Sequence, residues 1–306
     1  MPCRRFVLAA LLALASGDPA AAQTNTVVIL NGAPAGNAAH PPPPAPATQA
    51  ALQHPPLPTS PAPSDAEMGG RVPKIGHHYR GSVPYLGRDL PLPDGDWILL
   101  VREVVYARPQ PDPTKPVQPP RDHIALVRRD NGVLTGLIEA FGNPDGKPSP
   151  IGWPLDAICG SDTVIRSDVR KADPRGDQDC MAVNFINTTR FRDAGAPRFL
   201  RSLAVGLDGL NLLPPAIMVG VVIAEADPTH LLTVSVFLNP DAAGITPDHA
   251  VQRARSDWAS FNLPHDPAKL AYVEKLEAWG RRWRDVMRQQ LSNDRVPVPA
   301  DAAVTP

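Results

Sequence analysis

This chain carries no surplus of charge: 30 lysines and arginines face 31 aspartates and glutamates. Nothing in that balance points to nucleic acid as a partner. Aromatic residues are scarce, at 5%. Cysteine is scarcer, with three in the whole chain. No apolar run reaches the roughly twenty residues that a membrane-spanning helix needs. The sequence also lacks GxSxG, HExxH, a P-loop and a GxGxxG opening a helix. These absences remove the motif-bearing hydrolases, zinc proteases and nucleotide binders. They do not exclude an enzyme, because catalytic groups assemble in space and not in sequence.

What the chain has in abundance is proline, 39 residues, distributed unevenly. The start, MPCRRFVLAALLALASGDPAAAQ, has the three parts of a secretory signal peptide. Arg4 and Arg5 supply the positive end, Phe6–Ala15 the apolar core and Ala20-Ala21-Ala22 a small-residue cleavage site. The expectation is export, with residues 1–22 removed and Gln23 as the mature start. Cys3 precedes the apolar core and so cannot be a lipid-attachment cysteine. From Pro34 to Pro63 the chain is almost entirely Pro, Ala, His, Gln and Ser. Proline removes amide donors and fixes φ, so residues 23–70 read as a disordered, partly polyproline II stalk.

The folded part is expected from residue 71 to 295, as one α+β domain built on a mostly antiparallel sheet with C-terminal amphipathic helices. Its centre is the stretch Pro214–Pro240. Two apolar runs, Ala216–Ala224 and Leu231–Leu238, flank the polar turn Glu225–His230 and read as a hairpin covered on both faces. Upstream, Trp97–Tyr106 is a strand, and Asp130-Asn131-Gly132 turns His123–Arg129 back into Val133–Phe141. Ile158–Val169 and Cys180–Asn187 form a further pair around a turn at Lys171–Asp179. With Cys3 removed, Cys159 and Cys180 are the two cysteines of an exported chain. They are expected to form one structural disulfide stapling that pair.

Helices are expected at Phe199–Leu207, from Thr246-Pro247-Asp248 through Trp258, and from Asp266-Pro267 to about Leu291. The last has an apolar stripe of Leu270, Val273, Leu276, Trp279, Trp283, Val286 and Met287. Gly280 inside it suggests close packing against the sheet. Residues 296–306 read as a disordered Pro/Ala tail.

Several features fall in a fixed order: Leu92-Pro93-Asp94-Gly95-Asp96-Trp97, then Trp153, Cys159 and Cys180, then Phe237-Leu238-Asn239-Pro240, then Trp258 and Trp279-Gly280. In this order, over roughly Gly87 to Met287, the chain resembles a loosely defined group of exported proteobacterial proteins. The resemblance is carried by structural residues and implies a single exported domain. It brings no activity, cofactor or catalytic residue with it.

Candidate binding residues are Trp97 and Trp153, as rings that could line a groove, and His77 and His78, the densest imidazole pair. Neighbours on a strand point to opposite faces, so His77 and His78 read as a solvated entrance segment more readily than as a metal site. Asp173, Asp177 and Asp179 have the wrong spacing for a calcium loop and read as a polar turn. Trp279 and Trp283, at i and i+4, read as core. Arg281, Arg282, Arg284 and Arg288 read as a solvated helix face. No cofactor or metal is implied.

The expectation is an exported envelope protein, periplasmic or secreted, that acts by binding, its partner an envelope protein or a small ligand. The rival is a periplasmic hydrolase or carbohydrate-active enzyme, its site assembled from distant residues such as His123, Asp162, Asp168 or His230. A cleft with converging ionisable side chains discriminates the two.

Overall fold

The computed structural model describes residues 72–106, 119–143, 148–248, 252–291 and 305. The segments read as signal peptide (1–22) and stalk (23–70) lie outside the described residues, as does the tail apart from Thr305. Among the described residues the fold is α+β, as the sequence implies.

Its frame is one antiparallel sheet of eight strands. In chain order these are β1 (His78–Tyr79), β4 (Trp97–Val105), β5 (Arg121–Asp130), β6 (Val133–Gly142), β7 (Arg166–Ala172), β8 (Gln178–Asn187), β9 (Ile217–Ala226) and β10 (Leu231–Leu238). A separate hairpin is made by β2 (Ser82–Tyr85) and β3 (Arg88–Pro91). The spatial order is β1-β4-β5-β6-β10-β9-β8-β7, so the hairpin read from Pro214–Pro240 is central. Every β10 side chain is buried, and in β9 only Glu225 is partly exposed. Such continuous apolar strands survive only where both faces are covered.

One face carries helix α2 (Pro267–Leu291) and the β2–β3 hairpin. Val219, Val221 and Ile223 of β9 meet Val273, Leu276 and Trp283 there. The other face carries helix α1 (Arg198–Gly209) and the 3-10 turn Ala157–Cys159. At Gly280 helix α2 approaches the sheet closely, and a side chain at this one position would be crowded. A Cβ there would lie 2.8 Å and 2.9 Å from the two methyls of Val221 and 3.2 Å from Met181 Sδ. The β5–β6 turn has Asn131 at φ 49° and Gly132 at φ 80°. Two left-handed residues in succession give the primed turn that matches strand twist.

Cys159 and Cys180 are bonded, with their Cα atoms 5.4 Å apart. The bridge ties the Ala157–Cys159 turn to β8, whereas the sequence had it joining two paired strands. β7 starts only at Arg166; before it, Asp156 caps the Ala157–Cys159 turn by accepting from the Ile158 amide. The polar turn after it is also shorter than expected, since Lys171 and Asp179 pair with each other across β7 and β8. A second correction concerns 246–258. Among the described residues this stretch holds only the three-residue 3-10 turn Arg253–Arg255. The Asp257 amide donates to Asp248 Oδ2 and the Trp258 amide to Ser256 Oγ, local side-chain bonds that compete with helical continuation. A third is Glu225, which belongs to β9 and not to the turn.

Candidate functional site

β8, β9 and β10 end together at one edge of the α2 face, and side chains there run from apolar to charged. On β9 the alternation Val219, Val221, Ile223 places the next residue of that face, Glu225, at the strand's end. On β8 the same face brings Asp179 directly opposite Glu225. Directly opposed side chains on antiparallel strands have Cβ atoms about 4.5–5.5 Å apart. Leu232 of β10 flanks Glu225 on its other side.

Above these residues lies a cleft of about 690 Å³. Its walls are the β2–β3 hairpin, through Tyr85, Leu86 and Leu90, and the last turns of α2, through Met287 and Arg288. The rim is the β9–β10 turn, through Asp227 and His230, facing Lys171 and Asp177 of the β7–β8 hairpin. The size is that of small-molecule sites in general.

Most charges in the cleft are matched internally. Lys171 Nζ donates to Asp177 at 2.9 Å. Arg288 reaches Asp179 at 3.4 Å and Asp285 at 2.8 Å. Behind them Arg284, wholly buried, sits 3.2 Å from Asp168 and 3.7 Å from Asp179. Asp227 accepts from the amides of Thr229 and His230, which holds its carboxyl below the usual carboxylate range although burial opposes this.

Glu225 stands out as a carboxylate with no ion pair, although Asp179 Oδ1 and Arg284 Nε and Nη2 are also buried without a hydrogen-bond partner among the described residues. Among the described residues nothing bonds its side chain, and its Oε1 is buried without a partner. Burial, and then the neighbouring Asp179 charge, push its carboxyl up to about 7, with Arg288, Arg284 and Arg170 opposing. A half-desolvated carboxyl beside a second one, in a cleft, is what an acid–base or ligand-pairing group looks like.

No family model and no curated protein matches the chain. Among solved structures it is similar to the effector domain of PhnF from Mycobacterium smegmatis, at 13% identity over 47% of this chain and 80% of that one. The TM-score of 0.22 is too low for the likeness to carry any argument.

The residues singled out by sequence fall elsewhere. Trp97 and Trp153 are fully buried, so neither offers a ring face to a ligand. Trp97 donates its indole N–H to the Pro93 carbonyl at 2.8 Å. Trp153 packs with Phe141, Ala226 and Leu231, directly behind the cleft wall. His77 and His78 are exposed at the far edge, where His78 Nδ1 meets Asp96 at 2.7 Å.

Of the four residues named for a distant-residue enzyme site, only His230 lines the cleft. Asp168 pairs with Arg281 and Arg284, Asp162 is exposed, and His123 lies under α1. Of the α2 arginines, Arg281, Arg282 and Arg288 stay exposed, as read, and Arg284 alone is buried. Arg281, Arg284 and Arg288 turn to Asp168 and Asp179 of the sheet.

A second polar group sits sealed on the α1 face. Glu139 of β6 lies opposite Ala125 of β5 and Ser235 of β10. Among the described residues nothing bonds its carboxyl, and burial alone pushes it up to about 7. The Ser235 hydroxyl beside it is likewise unpartnered. His123, one step along β5, stacks on Phe199 of α1 with ring centroids 3.3 Å apart, and burial pushes it down to about 3.

Glu225 and Glu139 share one sequence signal. Each is a carboxylate at a period-two position of an otherwise apolar strand, Val221-Ile223-Glu225 and Leu137-Glu139-Phe141. That mismatch between residue type and pattern is legible without coordinates.

Proposed function

We propose that the chain is an exported protein whose domain works by binding a small ligand in the cleft at the ends of β8, β9 and β10. The observation that carries this reading is the Glu225 carboxyl, buried at Oε1 and unmatched in a cleft whose other charges are largely satisfied. A folded protein leaves few such groups unpaired, and a ligand that pairs one gains a strong, specific contact. Export is supported by the tripartite N-terminal segment, the bridge between Cys159 and Cys180, and the absence, among the described residues, of any helix long and apolar enough to cross a membrane.

The hydrolase reading is favoured by a different feature, the opposed Asp179 and Glu225. With its carboxyl pushed up to about 7, Glu225 can hold the proton that a general acid donates, next to a second carboxyl. In that case the ligand is consumed and does not persist.

Native mass spectrometry of the protein recovered from the periplasm of an expressing bacterium tests both. Binding predicts a chain starting at Gln23 with a retained small mass that is lost in Glu225→Gln. A chain starting at Met1 in the cytosolic fraction refutes export. A bare protein, whose cleft amide exchange is unchanged by low-molecular-weight periplasmic extract, refutes ligand binding. Turnover of an added extract component, abolished in Glu225→Gln, moves the hydrolase to the front.

A further inference from the structure

The charge pattern of the cleft restricts what it can receive. Five carboxylates line it: Asp89, Asp177, Asp179, Glu225 and Asp227. Three permanent cations oppose them: Arg88, Lys171 and Arg288. Lys171 is committed to Asp177, and Arg288 divides itself between Asp179 and Asp285. Arg170 and Arg284, behind the wall, are held by Asp285 and Asp168 as well as by Asp179. None of these cations forms an ion pair with Glu225. Among the described residues Glu225 is therefore left without a positive donor, and Arg88, the remaining cation of the lining, pairs with no carboxylate there. Around that position the surfaces are apolar, supplied by Leu86, Leu90, Leu231, Leu232 and Met287.

We infer that this cleft takes a ligand bearing an organic ammonium or guanidinium group on an apolar body, with the cation paired to the Glu225 carboxylate. This rests on the ligand-binding reading above and gives it a substrate class. A cation brought to Glu225 lowers the lining's excess of carboxylates over cations and gives that carboxylate the partner it lacks. The apolar body covers the hairpin and Met287 and excludes water from the pair, which strengthens it. An anionic headgroup would instead meet Glu225 and Asp179 across adjacent strands and be repelled. A neutral hydroxyl would leave the excess negative charge in place.

Cation binding favours ionised Glu225, so binding releases a proton and tightens as pH rises. The charged groups facing Glu225 are Asp179 from β8, Arg170 from β7, and Arg284 and Arg288 from α2, with Asp227 and His230 on the rim. For a carboxyl titrating near neutrality, affinity falls about tenfold from about pH 8 to about pH 6.

The test uses three probes with one body and three headgroups: hexylammonium, hexanol and hexanoate. Each is titrated into the full-length protein as recovered from the expressing cell, and cleft resonances are followed by NMR. Saturable shifts for hexylammonium alone, weakened about tenfold at the lower pH and by about tenfold or more in Glu225→Gln, are expected. His230→Gln should keep the same pH profile, which separates the carboxyl from the rim imidazole. Equal or stronger binding of hexanol or hexanoate overturns the inference and leaves the ligand-binding reading standing. No cleft shift from any probe at millimolar concentration overturns both. The comparison among headgroups needs no variant, so it decides the matter even where a Glu225→Gln protein fails to fold.

Discussion

Replacing Glu139 with glutamine should stabilise this protein at alkaline pH and leave it nearly unchanged at acid pH. Glu139 is 8% exposed, lies between the sheet and α1, and has no bonding partner among the described residues. Burial raises its carboxyl from 4.5 to about 7. Below the unfolded value both states hold the proton, and the residue's favourable contribution is fully present. As pH rises, the unfolded chain releases the proton first, so unfolding is favoured, and the contribution is gone once pH has passed through the folded value. At roughly 1.4 kcal/mol per pH unit, the full loss is about 3 kcal/mol.

Glutamine has nearly the same shape and no proton to lose. The stability difference, Glu139→Gln minus parent, should therefore grow by about 3 kcal/mol between about pH 4 and about pH 9. Urea unfolding at a series of pH values with the disulfide intact measures it. His123, depressed by burial, acts in the opposite window: its contribution is present above its unfolded value and is lost as pH falls. It is common to both proteins and drops out of the difference. A difference that stays flat across the range would refute the burial argument for Glu139.

The bridge between Cys159 and Cys180 closes a separation of 21 residues, and its reduction should cost about 3 kcal/mol, read as a shift in urea midpoint with and without reductant. Gly280→Ala places a methyl against the stiff, β-branched Val221; it should destabilise by about 1–3 kcal/mol despite the better helix propensity of alanine, and Val221→Ala in the same chain should recover part of that loss. Asp179→Asn removes the like charge beside Glu225, so the Glu225 side-chain carbon signal should titrate at lower pH than in the parent; Arg288→Gln should move it upward. If neither variant moves that titration, the two strands do not bring the carboxyls together as described.

Much of the architecture is written in the sequence because it depends on local pattern. The β9–β10 hairpin is legible as two β-branched apolar runs about a Pro-containing turn, and β10 runs over Leu231–Leu238 as read. Helix α2 is legible from its 3.6-residue stripe and its start after Asp266, which accepts from the Ala268 and Lys269 amides. The disulfide partners follow from there being two cysteines downstream of the N-terminal segment. Where local pattern misled, long-range bonding had prevailed. The Arg253 side chain reaches across to Thr163 and Phe185 from a single 3-10 turn, and Arg284 left the solvent for Asp168.

The cleft could not be read this way. Asp179, Glu225, Leu90 and Met287 belong to four different elements, and their meeting depends on strand order, register and the direction in which α2 ends. A one-residue slip of β8 against β9 would put Asp179 and Glu225 on opposite faces. The sequence by itself determined the elements and the apolar faces they bury, since periodicity is a local property of the chain. Only the tertiary structure decided which charges are left without partners, since pairing is a property of neighbours that the chain order does not record.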